Sequence, residues 1–301
     1  MLKTKRGSQV WLITQPAHAE LAGMMAAHWG NEEFARPGHF APSPDAERLR
    51  QEVVLAVAEH DNGWWEWEAD PPLSAEDGLP QGLGDVLKDR TAGMKRWLLG
   101  IPRLAEHHPY ASLLISDHAR WLYEAGFEPD HPAEFTHHLQ HGSSLYPSDL
   151  ETEARQFVLE TEARQFVGDL RKLQEGFRRR LEEDEFWRAA LEPEHHYPHA
   201  RLLQILDAWS LMLCSAAIAP VEGEAKGLGE DRVEFFEVPR RSWADRVTLE
   251  IMPLGNGRIV IDPYPFDEAP LTVTVPARVA EPHTWWREVP WTQRQYKYQR
   301  K

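Results

Sequence analysis

His60 and Asp61 close an apolar stretch, "VVLAVAEHDNG", and together offer an imidazole nitrogen and a carboxylate oxygen. That donor pair suits Zn, Fe or Mn better than Ca. Neighbouring helical residues point about 100° apart, so both can reach one ion only where the helix ends, and Asn62-Gly63 supplies that end. With 15 histidines in 301 residues, about one such pair is expected by chance, so the context carries the argument. Upstream, His18 lies near the start of a helical stretch, "TQPAHAEL". His28 is ten residues further, about 15 Å along a continuous helix, and cannot share an ion with His18. Downstream, Asp207 interrupts the apolar run "ARLLQILDAWSLMLCSAA". A carboxylate there must be paired, hydrogen-bonded to a core Trp or Tyr, or bound to a metal.

Other residues could complete such a centre. His118, beside Asp117 and near Arg120 in "SLLISDHARWL", sits mid-helix between apolar runs and is a candidate for an inward-facing site residue. His107 and His108 are weaker candidates. His137, His138 and His141 have a spacing that can bind metal, but "FTHHLQHGSSLYP" reads as a polar loop without function. His195, His196 and His199 surround Pro198 and also read as loop, with His199 starting the Asp207 helix. Glu59, just before the pair, would be a general base if it faced the cleft, and a solvated helix-end acid otherwise. Trp64, Trp65 and Trp67 either wall a pocket or pack the core beneath it. No serine elbow, Cys-His pairing, zinc-type cysteine spacing or phosphate loop is present.

These side chains need helices to hold them. A strand is predicted over 9–13, then a helix that Thr14 and Pro16 start and Gly30 stops. Further helices are expected over about 44–59, 85–106, 109–126, 150–191 and 199–219, with turn-rich sequence over 70–85. "RVEFFEV", "RVTLEIM", "RIVIDPY" and "LTVTVPARV" then alternate or run apolar and predict a small antiparallel sheet. The expected plan is a helical domain over 1–220 and a β-rich portion over 221–301, packed as one unit, with the strand at 9–13 available to pair into it. "LETEARQFV" occurs at 150–158 and again at 159–167. Nine residues rotate a helix by half a turn, so this helix is expected to project or bulge away from the site.

The formal net charge of −15 argues against a nucleic-acid partner, which would require clustered cations on phosphates. The segment "HTWWREVPWTQRQYKYQRK" interleaves basic and aromatic residues, and is expected to dock on the chain's own acidic body rather than bind single strands. No stretch is long and apolar enough for a membrane span. A single cysteine, Cys214 in an apolar run, fits a buried thiol in a reducing, cytoplasmic setting.

The order His18, His60-Asp61, Asp207 resembles that of the HD superfamily, helical metal-dependent phosphohydrolases and a few diiron oxygenases. "AVAEHDNG" is similar to its second motif and "LLQILDAWS" to its last. "ITQPAHAELAGMMAAHWG", "VAEHDNGWWEWE" and "LLQILDAWSLMLC" also resemble a bacterial family known only as domain of unknown function 3891. The resemblance implies a mostly α, HD-like helical bundle with a small antiparallel sheet. It implies one or two ions of Fe, Mn or Zn on His18, His60, Asp61 and Asp207, with His118 contacting substrate or a second metal and Glu59 as a candidate base. The expected function is hydrolysis of a small phosphorylated molecule; the alternatives are a diiron oxygenase and a non-enzymatic metal-containing binding protein.

Overall fold

The computed structural model describes residues 1–88, 90–128, 130–140 and 153–301. Strands β1 (Leu2–Arg6) and β2 (Gln9–Ile13) form a hairpin turned at Gly7, whose φ of +60° suits a residue without Cβ. Helix α1 (Gln15–His28) starts as its residues dictate: the Thr14 hydroxyl accepts from the Ala17 N–H, and Pro16 occupies the first turn. Then come α2 (Ala46–Ala58), α3 (Trp65–Ala69), α4 (Leu83–Lys88), α5 (Arg90–Gly100), α6 (Pro109–Glu124), α7 (Glu153–Glu182), α8 (Glu185–Ala190) and α9 (Pro193–Cys214). The chain ends in β3 (Val233–Ser242), β4 (Asp245–Gly255), β5 (Arg258–Asp262), β6 (Leu271–Ala280) and β7 (Trp291–Arg300).

All seven strands join one sheet in the order β1-β2-β6-β7-β5-β4-β3. Every pairing is antiparallel except β5 with β7, which is parallel. This corrects the expected fold class: the sheet is large and mixed, and it is not a small antiparallel addition to an HD-like helical bundle. Two strands escaped the sequence reading. "LKTKR" lacks an apolar run, although Leu2 and Thr4 face the interior. "WTQRQYKYQR" reads as a basic tail, yet Tyr296 and Tyr298 are fully buried and β7 lies between β6 and β5.

The sheet positions the site because α1 and α9 pack on each other and also on its strands, α1 against β6 and α9 against β1 and β3. Trp209 of α9 lies between Phe235, Phe266 and Tyr298, with ring centroids 5.5–5.7 Å away. The α1–α2 crossing is closer than most. A Cβ added at Gly23 would meet the Ala58 Cβ at 2.5 Å, so these two helices touch backbone to backbone.

The helix carrying the repeat does not project. In its second copy Phe166 and Val167 are buried, and α7 packs along α6 and α5. The first copy's side chains lie outside the described residues, as does His141. The proline at 198 also misled: α9 begins at Pro193 and runs through it, so His195, His196 and His199 are helical and buried. Pro198 lies past the first turn, where the His196 N–H already bonds Glu192 O, so its missing N–H deprives the Glu194 carbonyl of its intrahelical donor.

Candidate metal centre

Four helices and one irregular segment bring the polar residues to a single buried point. α1 supplies His18, the end of α2 supplies His60 and Asp61, α6 supplies His118, and α9 supplies Asp207. His137 arrives from the segment between two short 3-10 turns. All six are buried, none more than 6% exposed. His18, His60 and Asp207 each offer one ligand atom, all within 4.8 Å of one another.

The carboxylate of Asp207 is the hub. Its Oδ1 lies 3.2 Å from His60 Nε2 and 3.8 Å from His18 Nδ1. Its Oδ2 lies 3.1 Å from His137 Nε2 and 3.3 Å from His118 Nε2. Two ligands each about 2.1 Å from a common ion, at tetrahedral or octahedral angles, stand about 3.0–3.4 Å apart. The His60–Asp207 separation has that value. His60 Nε2 has no hydrogen-bond partner despite the short distance, so its lone pair or N–H is aimed past the oxygen. Its Nδ1–H donates to Val57 O at 2.8 Å, which leaves Nε2 as the nitrogen that could meet an ion.

His18 is fixed at both ends. The Ser210 hydroxyl donates to Asp207 O, so it accepts from His18 Nδ1–H at 2.9 Å. Nε2 then faces Asp61 Oδ2 at 2.8 Å, a distance that a shared proton or a shared cation satisfies. Neither ring nitrogen of His118 meets hydrogen-bond geometry in the protein, although Nε2 lies 3.3 Å from Asp207 Oδ2. His137 differs, because its Nδ1 accepts from the Leu139 N–H at 3.1 Å. Its neutral ring therefore carries the proton on Nε2 and presents an N–H, not a lone pair, to Asp207.

Electrostatics separate these rings. Burial disfavours charge on His60, but Asp207 in contact, with Asp61 behind, outweighs it and raises the ring to about 9. Burial lowers His118 to about 4, with the neighbouring His137 and His60 adding to the effect against the opposing pull of Asp207. Burial also works against the Asp207 carboxylate, yet His60, His118 and His137 hold it well below the ordinary range.

A cavity of about 80 Å³ opens on this cluster, bounded by His18, Asp61, His118 and Asp207 on one side and by Trp64, Trp97 and leucines on the other. Glu59 is not among its lining residues. Its backbone N–H caps α2 on Leu55 O, and burial together with Glu20 pushes its half-buried carboxyl up. Trp64 lines the cavity and meets Trp67 edge-on, whereas Trp65 is half exposed. His108 pairs with Glu52 at the start of α6, and His107 is exposed. His196 pairs with Asp117 at 2.7 Å on the other side of α6, and His199 bridges Tyr110 and the Gly38 N–H.

Sequence reasoning missed His137 and Ser210. Nothing in a polar "FTHHLQHG" distinguishes a buried histidine from loop neighbours. Ser210 did carry a signal, a hydroxyl three residues after Asp207 in an otherwise apolar helix.

The chain is thus an α+β protein with a buried histidine–carboxylate centre at the meeting of four helices. It belongs to the DUF3891 family, described as a protein of unknown function, whose model matches residues 1–281. No curated protein and no solved structure matches the chain. Among the described residues, no helix is long and apolar enough to cross a membrane.

Proposed function

We propose that this chain is a metal-dependent hydrolase with one divalent transition-metal ion, Fe, Mn or Zn, held by His18, His60 and Asp207. The observation that carries the reading is His60: its Nδ1–H is committed to Val57 O, and its Nε2 stands 3.2 Å from Asp207 Oδ1, the spacing of two ligands on one ion. Bound there, the ion would supply Lewis acidity to a substrate oxygen or to a water. Ser210 takes the Nδ1–H of His18, which leaves Nε2 for the ion, and Asp61 Oδ2 stands 2.8 Å from that nitrogen. The Nε2 of His137 faces the second oxygen of Asp207 at 3.1 Å. His118, buried and held neutral, is available to accept a proton or to contact substrate. The chain order His18, His60-Asp61, Asp207 is similar to that of the HD superfamily and supports the hydrolytic reading by analogy. The protonated Nε2 of His137 favours one ion over the two that a diiron oxygenase needs. The buried, unpaired Cys214 thiol, pushed up by burial, fits a reducing cytoplasmic setting.

The test is metal analysis of the untagged chain beside His60→Ala and Asp207→Asn, followed by assay of the loaded chain on 4-nitrophenyl acetate and bis(4-nitrophenyl) phosphate. About one ion per chain, lost in both variants together with hydrolysis, is expected. Two ions per chain would replace this reading with a dinuclear one. No ion after reconstitution with Mn, Fe and Zn would refute it.

A further inference from the structure

The apolar part of the cavity lining is built for something other than charge. Trp64, Leu83, Val86, Trp97, Leu139 and Leu211 supply most of it. No Lys or Arg occurs among its described lining residues, so the described wall gives a phosphate no cation to pair with. At about 80 Å³ the space is roughly half of the about 150 Å³ in which an engineered apolar cavity binds benzene. It matches an alkyl group of three to five carbons.

Two further observations point to a ligand. Gln15 lines the cavity, is 3% exposed, and its carboxamide oxygen has no hydrogen-bond partner. A buried acceptor left unpaired is destabilising, and a donor on a bound molecule would relieve it. Gly93 lines the same wall, where an added Cβ would meet the Tyr123 hydroxyl at 2.8 Å. A side chain at 93 would displace Tyr123, itself a lining residue, and change the space.

We infer that this cavity is the substrate's side-chain subsite, and that it takes a short, uncharged alkyl group next to a neutral N–H or O–H donor read by Gln15. The substrate class is then a small aliphatic amide or similar neutral acyl compound, with its polar head at the His18–His60–Asp207 cluster. This identification rests on the metal-centre reading for the position of the head group, but not for the apolar wall.

The experiment compares acetohydroxamate with butyrohydroxamate on the Co(II)-loaded full chain, followed by the visible Co(II) bands. The two share a chelating head and differ by two methylenes, whose burial tightens binding about fifteenfold. Gly93→Ala is expected to shrink that ratio at least threefold, and Gln15→Met to weaken butyrohydroxamate about tenfold. In the metal-free chain, butyramide read by tryptophan fluorescence reports the wall and Gln15 without a metal. Quenching by butyramide in a chain that takes up no Co(II) would retain the subsite and refute the metal centre alone. Equal affinity for the two hydroxamates in a loaded chain, with butyramide silent, would overturn the subsite. Inorganic phosphate binding more tightly than butyrohydroxamate would overturn it as well.

Discussion

Metal binding at this centre should release one proton, and that proton should come from His60. In the metal-free chain the Asp207 carboxylate raises this ring to about 9, so at pH 7 it is almost wholly an imidazolium. An ion that takes Nε2 must displace that proton. At pH 7 the displacement costs two pH units of affinity, about 2.7 kcal/mol, against about 0.2 kcal/mol for a histidine at its ordinary value. Apparent affinity should therefore rise about tenfold per pH unit, roughly a hundredfold from pH 7 to pH 9, and flatten above. The same raised value stabilises the metal-free fold fully below pH 6.5 and is lost as pH rises through 9, a change of about 3 kcal/mol. Zn(II) titrated against a competing chelator across this range gives the slope. Calorimetry at pH 7 in two buffers of different ionisation enthalpy counts the proton directly. A flat affinity profile with no proton released at pH 7 would refute the assignment of His60 as a ligand, whatever the metal content.

Three other perturbations separate the roles of neighbouring residues. Gly23→Ala inserts a methyl where the Ala58 Cβ stands 2.5 Å away, and should destabilise the fold by about 1–3 kcal/mol in urea titrations. Because α1 carries His18 and α2 ends at His60, the same variant should also weaken metal binding, whereas an equally destabilising change in β4 should not. Asp117→Asn removes a carboxylate that burial would raise but that His196 and Arg120 hold down at about 2. Its contribution, about 2 kcal/mol, is present above pH 4 and lost as pH falls through 2, so variant and parent stabilities should converge only in acid. His199 is kept neutral by burial and by the nearby His196 and His195, with Nε2 accepting from Gly38 and Nδ1 against Tyr110. A His199→Asn variant should reduce the loss of stability that the parent shows as pH falls below 6.5, with His118 accounting for part of what remains, as read by thermal melts.

The polar part of the site was more legible than the fold around it. His60-Asp61 and Asp207 stand out because each interrupts an apolar helix, where a charge has to be accounted for. His18 follows from its place one turn into a well-capped helix. The sheet was misjudged for a physical reason. Central strands are recognised by continuous apolar runs, and β7 buries Tyr296 and Tyr298 within a sequence otherwise made of polar and basic residues. The Tyr296 hydroxyl donates to Leu213 O and Tyr298 meets Met25 Sδ, so those polar ends are satisfied inside, and composition alone reads the strand as a tail. His137 was invisible because its burial depends on Arg201, whose guanidinium binds Thr136 O, and on Gln204, which binds Phe135 O. Those contacts join segments more than sixty residues apart.

The charge at the centre argues for a divalent ion over other ways of satisfying these groups. Asp61 and Asp207 bring two carboxylates into a space where neither is more than 6% exposed. His60 answers with one positive charge in the metal-free chain, and Asp207 remains well below the ordinary carboxylate range because of it. With no proton between His18 and Asp61, a single imidazolium leaves two formal carboxylate charges short of neutrality by one. Replacing that proton with a doubly charged ion balances them, while His60 keeps its bond to Val57 and His18 its bond to Ser210. A monovalent cation would only reproduce the charge already supplied by the proton. A buried salt-bridge cluster with no ion would gain from replacement of one carboxylate by its amide, since the uncompensated charge would go. Asp61→Asn therefore decides between the two accounts: in a purely structural cluster it raises thermal stability, and in a metal centre it lowers both ion affinity and the stability of the loaded chain.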